Sequence, residues 1–300
     1  MNKQGIHSVQ EKIIRFGIDS HTYFDKEIWQ KSALPIRIQS IAPSYHNEHH
    51  IMAILKAIDI IFFEIQRGHD AFGILSETRK FIDEIDEEYS LSITEIKIAF
   101  QLAFVMHDLG NIVHSDKVEM REGKLVLDYS SQYDWVSGNT EIKSCVIANR
   151  ILTYYDHEWK HLFKNNADLV YELVFSIIKQ TIIKLDKRAK KPLWHVVQII
   201  DQIASYYYSD VSIGVMTAGF MNELYVEGYK DLKINTFVGF IPHQLSVLIP
   251  KEKVRNEIIL FFEKTRSSMS ISPIEWSKKY LLKDDRDVQF KSDIEWLIGL

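Results

Sequence analysis

What most constrains this chain is how seldom it can turn. Only 12 glycines and 6 prolines are spread through 300 residues, while apolar side chains recur at intervals of three and four over long segments. Short strands joined by tight turns need those two residues as punctuation, so amphipathic helices are the expected building blocks. The periodicity predicts helices over about 4–16, 47–67, 72–87, 92–108, 139–155, 166–184, 193–209, 211–228 and 251–267. Ser92 and Glu95 form an S-x-x-E capping box ahead of an apolar run, and Asn139 before Thr140-Glu141 is a second expected N-cap. Residues 116–138 break the pattern. There Val118, Met120, Leu125, Leu127 and Tyr129 alternate around Arg121-Glu122-Gly123-Lys124, which predicts a loop or a short hairpin. With no internal repeat, low-complexity tract or linker, a single all-α domain over 1–300 is expected.

Composition narrows the function. The chain is 46% hydrophobic and 26% charged with both signs interspersed, which excludes disordered and collagenous classes. Cys145 is alone, so neither a disulfide scaffold nor a cysteine-rich zinc module can form, and any metal must be held by histidine and carboxylate. The N-terminus alternates charged and apolar residues without a secretory pattern, so a cytoplasmic protein is expected. The longest apolar stretch, around Ile58 to Ile65, is interrupted by Asp59 and Glu64, and no membrane role is expected. A net charge of −5 gives no global attraction to nucleic acid, leaving Lys184 to Lys191 as a local basic loop.

Three polar clusters stand against this apolar background. The densest is Ser44-Tyr45-His46-Asn47-Glu48-His49-His50, ahead of an apolar helix on which His46 and His50, four apart, share a face. The second is His107-Asp108, closing the apolar run Phe104-Val105-Met106. A carboxylate there needs compensation, which a divalent cation would supply. The third is Asp201, an acid interrupting the apolar helix Trp194 to Ala204.

Taken in order, these clusters resemble the HD-domain metal-dependent phosphohydrolases. Tyr45-His46-Asn47-Glu48-His49-His50 fits the Y-H-N-x-x-H motif of class I cyclic-nucleotide phosphodiesterases. The resemblance spans about residues 40–265 and implies a compact multi-helix fold of that type. It implies His50, His107, Asp108 and Asp201 as metal ligands, with Asp108 bridging to a second ion held mainly by water. His46 takes the place of the family's proton donor to the leaving oxygen. Glu141, in Asn139-Thr140-Glu141, takes that of an acid hydrogen-bonding metal-bound water. One or two divalent ions are implied. Mixed imidazole and carboxylate ligands suit Zn, Mn, Fe or Ni in the tight site, and water suits Mg or Mn in the second.

The implied substrate is a cyclic nucleotide or related small phosphate ester, beside Tyr45, Phe220, Phe237, Phe240 and Gln244. Phe237-Val238-Gly239-Phe240-Ile241 looks like the family's Q-V-G-F-I segment, with Phe240 as the ring that stacks on a base and Phe220 as an opposite wall. Phe237 stands where the family has a glutamine that reads the purine edge, and it cannot make that hydrogen bond. Gln244 is the nearest amide. Also absent are the family's second histidine and Pro-Gly after the His-Asp doublet, replaced by Leu109-Gly110-Asn111, and a histidine after the glutamate, replaced by Ile142. A shorter segment between Gly228 and Phe237 removes the family's covering loop and makes 116–138 a candidate lid. Two further readings remain open: a nucleotide phosphomonoesterase, and a non-catalytic metal-binding or ligand-sensing module. The apolar C-terminal tail, Asp293 to Leu300, offers a face for the domain or for a second copy in a homodimer.

Overall fold

The computed structural model describes residues 3–31, 46, 48–67, 91–122, 124–129, 139–182 and 193–202, together with 252, 253, 256 and 260. The centre of the fold is a strongly apolar helix. Helix α3 (Ile93–Met106) buries every residue from Ile98 to Met106, which follows from a stretch that is apolar at every position but Gln101. Against it pack α1 (Lys3–Lys31), α2 (Glu48–Gln66), α4 (Asn139–Tyr154) and α6 (Ala167–Gln180). Helix α5 (Asp156–Phe163) and a 3-10 turn at Lys164–Asn166 join α4 to α6, and α7 (Leu193–Gln202) lies on α6 and α2.

Each end of α3 is tied down. At its start the expected capping box forms: Ser92 N–H donates to Glu95 Oε2 at 2.7 Å and Glu95 N–H to Ser92 Oγ at 3.3 Å. The other oxygen of Glu95 accepts from Asn166 Nδ2 at 3.2 Å, which links the cap to the start of α6. Along α3, Phe100 meets Phe62 of α2 edge to face at 5.4 Å. The acid that interrupts α2, Asp59, accepts from Lys97 Nζ at 2.8 Å and from Gln101 Nε2 at 3.0 Å, so it ties α2 to α3.

Helix α1 approaches α3 more closely than any side chain would allow. A Cβ on Gly17 would lie 2.6 Å from the Val105 carbonyl oxygen and 2.9 Å from Val105 Cβ, so glycine is required there. Gln10 donates to Gln101 earlier along the same pair, so the two helices run in the same direction. Helix α7 is fixed by a buried amide: Gln198 Nε2 donates to Gln180 O at 2.9 Å and Thr181 O at 2.8 Å, satisfying carbonyls that the end of α6 leaves unpaired.

The alternating stretch is a two-stranded antiparallel ribbon, β1 (Val113–Arg121) with β2 (Lys124–Tyr129), and it begins a few residues earlier than the pattern predicts. Arg121 pairs with Lys124 across the turn, where Glu122 takes φ 51° ahead of Gly123. Arg150 and Tyr154 of α4 hold β1, through Asp116 Oδ2 at 2.9 Å and Val118 O at 3.0 Å. Ser20 and Tyr23 of α1 hold β2 through Tyr129.

The described residues are mostly helical, with this ribbon as their one sheet, as an all-α chain with a short hairpin requires. Three expectations change. Helix α1 extends well past residue 16, and α5 is an additional helix, seated by Trp159, which is fully buried and stacked on Phe163 at 5.1 Å. Asn139 is the first residue of α4 rather than a cap preceding it. The helices expected at 72–87 and 211–228, most of that at 251–267, and residues 130–138 of the candidate lid lie outside the described residues. No helix among the described residues is long and apolar enough to cross a membrane.

Candidate metal centre

The end of α3 delivers a histidine whose protonation is set by its own helix. His107 Nδ1 lies 2.7 Å from Phe104 O, and because a carbonyl only accepts, Nδ1 carries a proton and Nε2 is the ring nitrogen turned into the cluster. Asp108 is oriented in turn by Asn111, whose Nδ2 donates to Asp108 Oδ1 at 3.0 Å. That leaves Asp108 Oδ2 directed at imidazoles: 2.9 Å from His107 Nε2, and 3.8 Å from each of His46 Nε2 and His50 Nε2. From α7, Asp201 Oδ1 comes within 3.1 Å of His107 Nε2 and 3.6 Å of His50 Nε2.

Residues from the bend before α2, the first turn of α2, the end of α3 and the last turn of α7 thus converge. All of the expected ligands, His50, His107, Asp108 and Asp201, are in this one cluster, with His46 at its edge. His50, His107 and Asp108 are buried.

The electrostatics follow from that burial. Burial by itself pushes the His107 imidazole toward its neutral form, but the carboxylates of Asp108 and Asp201 outweigh it and hold its pKa well above the ordinary value. Burial would raise Asp108, yet the imidazoles of His107, His46 and His50 bring it far below the usual carboxylate range. Asp201 is likewise lowered against its burial, chiefly by His107. The cluster is therefore built around positive charge.

A divalent cation fits it. Ligand atoms of His50, His107 and Asp201 all lie within 4.8 Å of one another. Ligands held about 2.0–2.2 Å from an ion stand roughly 3–4.4 Å apart, so this spacing is close to what one shared ion needs. Asp108 Oδ2 is buried and accepts no hydrogen bond of proper geometry, leaving a carboxylate oxygen aimed into the cluster with its bonding capacity unused. The donor set of imidazole and carboxylate suits Zn, Mn, Fe or Ni.

Glu141 lies buried in the first turn of α4 and accepts from Thr140 Oγ1 at 2.9 Å. The turn after α3, which follows the His-Asp doublet, docks on this end of α4: Gly110 N–H donates to Ser144 Oγ at 2.8 Å. Tyr45, Phe220, Phe237, Phe240 and Gln244, expected to face the substrate, lie outside the described residues, as does the basic loop 184–191.

Sequence reasoning passed over three residues that shape this centre. Asn111 orients Asp108, and its position three residues after the acid on a turn was the available signal. Gln198 seats the helix that carries Asp201; a glutamine inside an apolar run is the corresponding sign. His21 of α1 is wholly buried nearby, and Asp108, His107 and His46 all act on its charge.

Cys145 offers no competing nucleophile. Its thiol is partly buried, its Sγ donates to Phe175 O at 3.8 Å, and burial pushes its pKa from an ordinary 9.0 up to about 11. Two units in that direction leave about 100-fold less thiolate at any pH below 9. Alkylation of the folded protein by iodoacetamide at pH 8 should accordingly run about 100-fold slower than that of an unstructured peptide thiol. A rate matching the peptide would show that the thiol is open and acidic.

Compared with protein-family models, with curated proteins and with solved structures, the chain finds no match.

Proposed function

We propose that the chain is a metal-dependent phosphohydrolase, most naturally a phosphodiesterase for a cyclic nucleotide or related small phosphate ester. The observation that carries this reading is the convergence of His50, His107 and Asp201 around a point that also receives the unsatisfied Oδ2 of Asp108. The order of these residues in the chain, with His46 four before His50, supports it through the family resemblance.

Hydrolysis of a phosphodiester needs a hydroxide at neutral pH, neutralisation of the phosphoryl charge and a proton for the departing alkoxide. A divalent cation, when bound, lowers the pKa of water and screens the phosphoryl oxygens. His50, His107, Asp108 and Asp201 would hold it. Asn111 fixes Asp108, and the Phe104 carbonyl fixes the His107 ring, so both present their ligand atoms without rearrangement. His46 is the proton donor in this reading. Its side chain keeps 10% of its surface exposed where those of His50 and His107 keep 0% and 2%, so of the three it is the ring able to reach a substrate oxygen.

The test is a panel of cyclic and linear phosphodiesters and nucleoside monophosphates, incubated with the full chain and Mn or Mg. Cleavage of a cyclic nucleotide supports the phosphodiesterase reading. Release of phosphate from monoesters alone moves the chain to the phosphomonoesterases, and a metal-loaded protein that cleaves nothing points to a sensing module. Within an active protein, His46→Gln should lower kcat by about 10²–10⁴-fold, the usual worth of a positioned proton donor, while metal binding is retained. Unchanged turnover would remove His46 from that role.

A further inference from the structure

Helix α1 brings a histidine to the centre that neither the ligand set above nor the motif pattern includes. His21 is fully buried, and its Nδ1 lies 2.7 Å from Gly17 O. The carbonyl accepts, so the proton is on Nδ1 and the lone pair is on Nε2. That Nε2 has no hydrogen-bond partner, although leaving a buried ring nitrogen unsatisfied is costly. His107 is arranged in the same way, Nδ1–H on a carbonyl of its own helix and Nε2 outward, which is how metal-binding imidazoles are usually oriented.

The placement is not incidental to the fold. Gly17, one helical turn before His21, is the residue whose missing side chain allows α1 to touch Val105, and Val105 lies three residues before Asp108. Since α1 and α3 run in the same direction, moving one turn on from that crossing takes both chains together toward the His-Asp doublet. The charges of Asp108, His107 and His46 are all felt at the His21 ring. Across the cluster, Asp108 Oδ2 is a second buried atom with unused bonding capacity. An imidazole nitrogen and a carboxylate oxygen, each buried without a hydrogen-bond partner, are the two donor types that a divalent transition-metal cation takes.

We propose that His21 Nε2 is a protein ligand for a second divalent cation, shared with the first through Asp108. The inference rests on reading the cluster as a metal centre. It makes the second site more than a water-filled position: an imidazole ligand favours Mn, Co, Ni or Zn over Mg, which takes oxygen donors. Burial pushes the His21 pKa down to about 4, so the ring is neutral, as a ligand must be, throughout the physiological range.

Titration of the metal-free full chain with Mn²⁺, following free Mn²⁺ by its EPR signal, reads both stoichiometry and affinity. The wild type should bind two ions. In His21→Phe the tighter ion should remain while the weaker one loses at least about tenfold in affinity. Two sites of unchanged affinity in that variant, or a wild type that binds one ion only, would overturn the proposal and leave the first metal site standing. Binding of no ion at all would overturn the metal centre itself. Should His21→Phe not fold, the wild type answers alone: with ¹⁵N-labelled histidine, the second equivalent of Cd²⁺ should shift the His21 Nε2 resonance, and a resonance that stays in place rejects His21 as a ligand.

Discussion

Replacing Asp108 with alanine is expected to lower phosphohydrolase activity by at least about 10³-fold while the helical fold persists. Asp108 is the residue on which the centre converges. Its Oδ2 faces three imidazoles at 2.9 to 3.8 Å, so removing it deletes a ligand and the negative charge that a phosphate-clamping cation must be balanced by. The fold should survive because the core around α3 is apolar and independent of that carboxylate; the direct losses are one hydrogen bond from Asn111 and the pairing with His107 at 2.9 Å, which Asp201 at 3.1 Å still partners. Two measurements separate chemistry from folding. Helical circular dichroism should match the wild type, whereas stabilisation by saturating Mn²⁺, about 2.7 kcal/mol at 100 times Kd, should largely disappear. Asp108→Asn, which preserves the shape and can still accept from Asn111, should be nearly as inactive. Hydrolysis at the wild-type rate in either variant would defeat the assignment.

Gly110→Ala should do the opposite, harming the fold first and the chemistry as a consequence. A Cβ at residue 110 would stand 1.9 Å from the Thr140 carbonyl oxygen and 2.9 Å from Ser144 Oγ. The obstacle is backbone, so no rotamer change relieves it. The turn after α3 would have to lift from the first turn of α4, breaking the bond from Gly110 N–H to Ser144 Oγ. A loss of about 3 kcal/mol or more is expected, visible as a lower melting temperature and a lower denaturant midpoint. Because the same turn carries His107 and Asp108, metal affinity should fall as well. Ser144→Ala, which removes the hydrogen bond without the collision, should cost only about 1 kcal/mol. Equal stability of Gly110→Ala and the wild type would mean that the close approach at Thr140 is not a constraint.

Much of the architecture could be read in advance because it rests on local chemistry. The strongly apolar run Ile93 to Met106 was expected as a buried helix; Ser92 and Glu95 could cap it from within four residues; and alternation around Glu122-Gly123 left a loop or a short hairpin, of which the hairpin forms. What escaped was set by partners distant in the chain. Asp59 interrupts an apolar stretch and looked like a break in it, yet it serves as the acceptor for Lys97 and Gln101 across the α2–α3 contact. Helix α5 depends on Trp159 finding a buried place beside Phe163, which no spacing rule reveals.

The centre divides along the same line. Imidazoles and carboxylates embedded in apolar helices demand compensation and so drew attention to His46, His50, His107, Asp108 and Asp201, but it was the family resemblance in their order and spacing that nominated them together. Which atoms face inward, and with what partner, was decided by packing: Asn111 turns Asp108, Gln198 seats the helix of Asp201, and a glycine in α1 admits His21. The sequence alone determined that the chain is helical and which side chains are costly to bury. Only the tertiary structure decided that these costs are met at one point, since a helix's periodicity specifies its apolar face but the approach of two helices depends on the shapes of both.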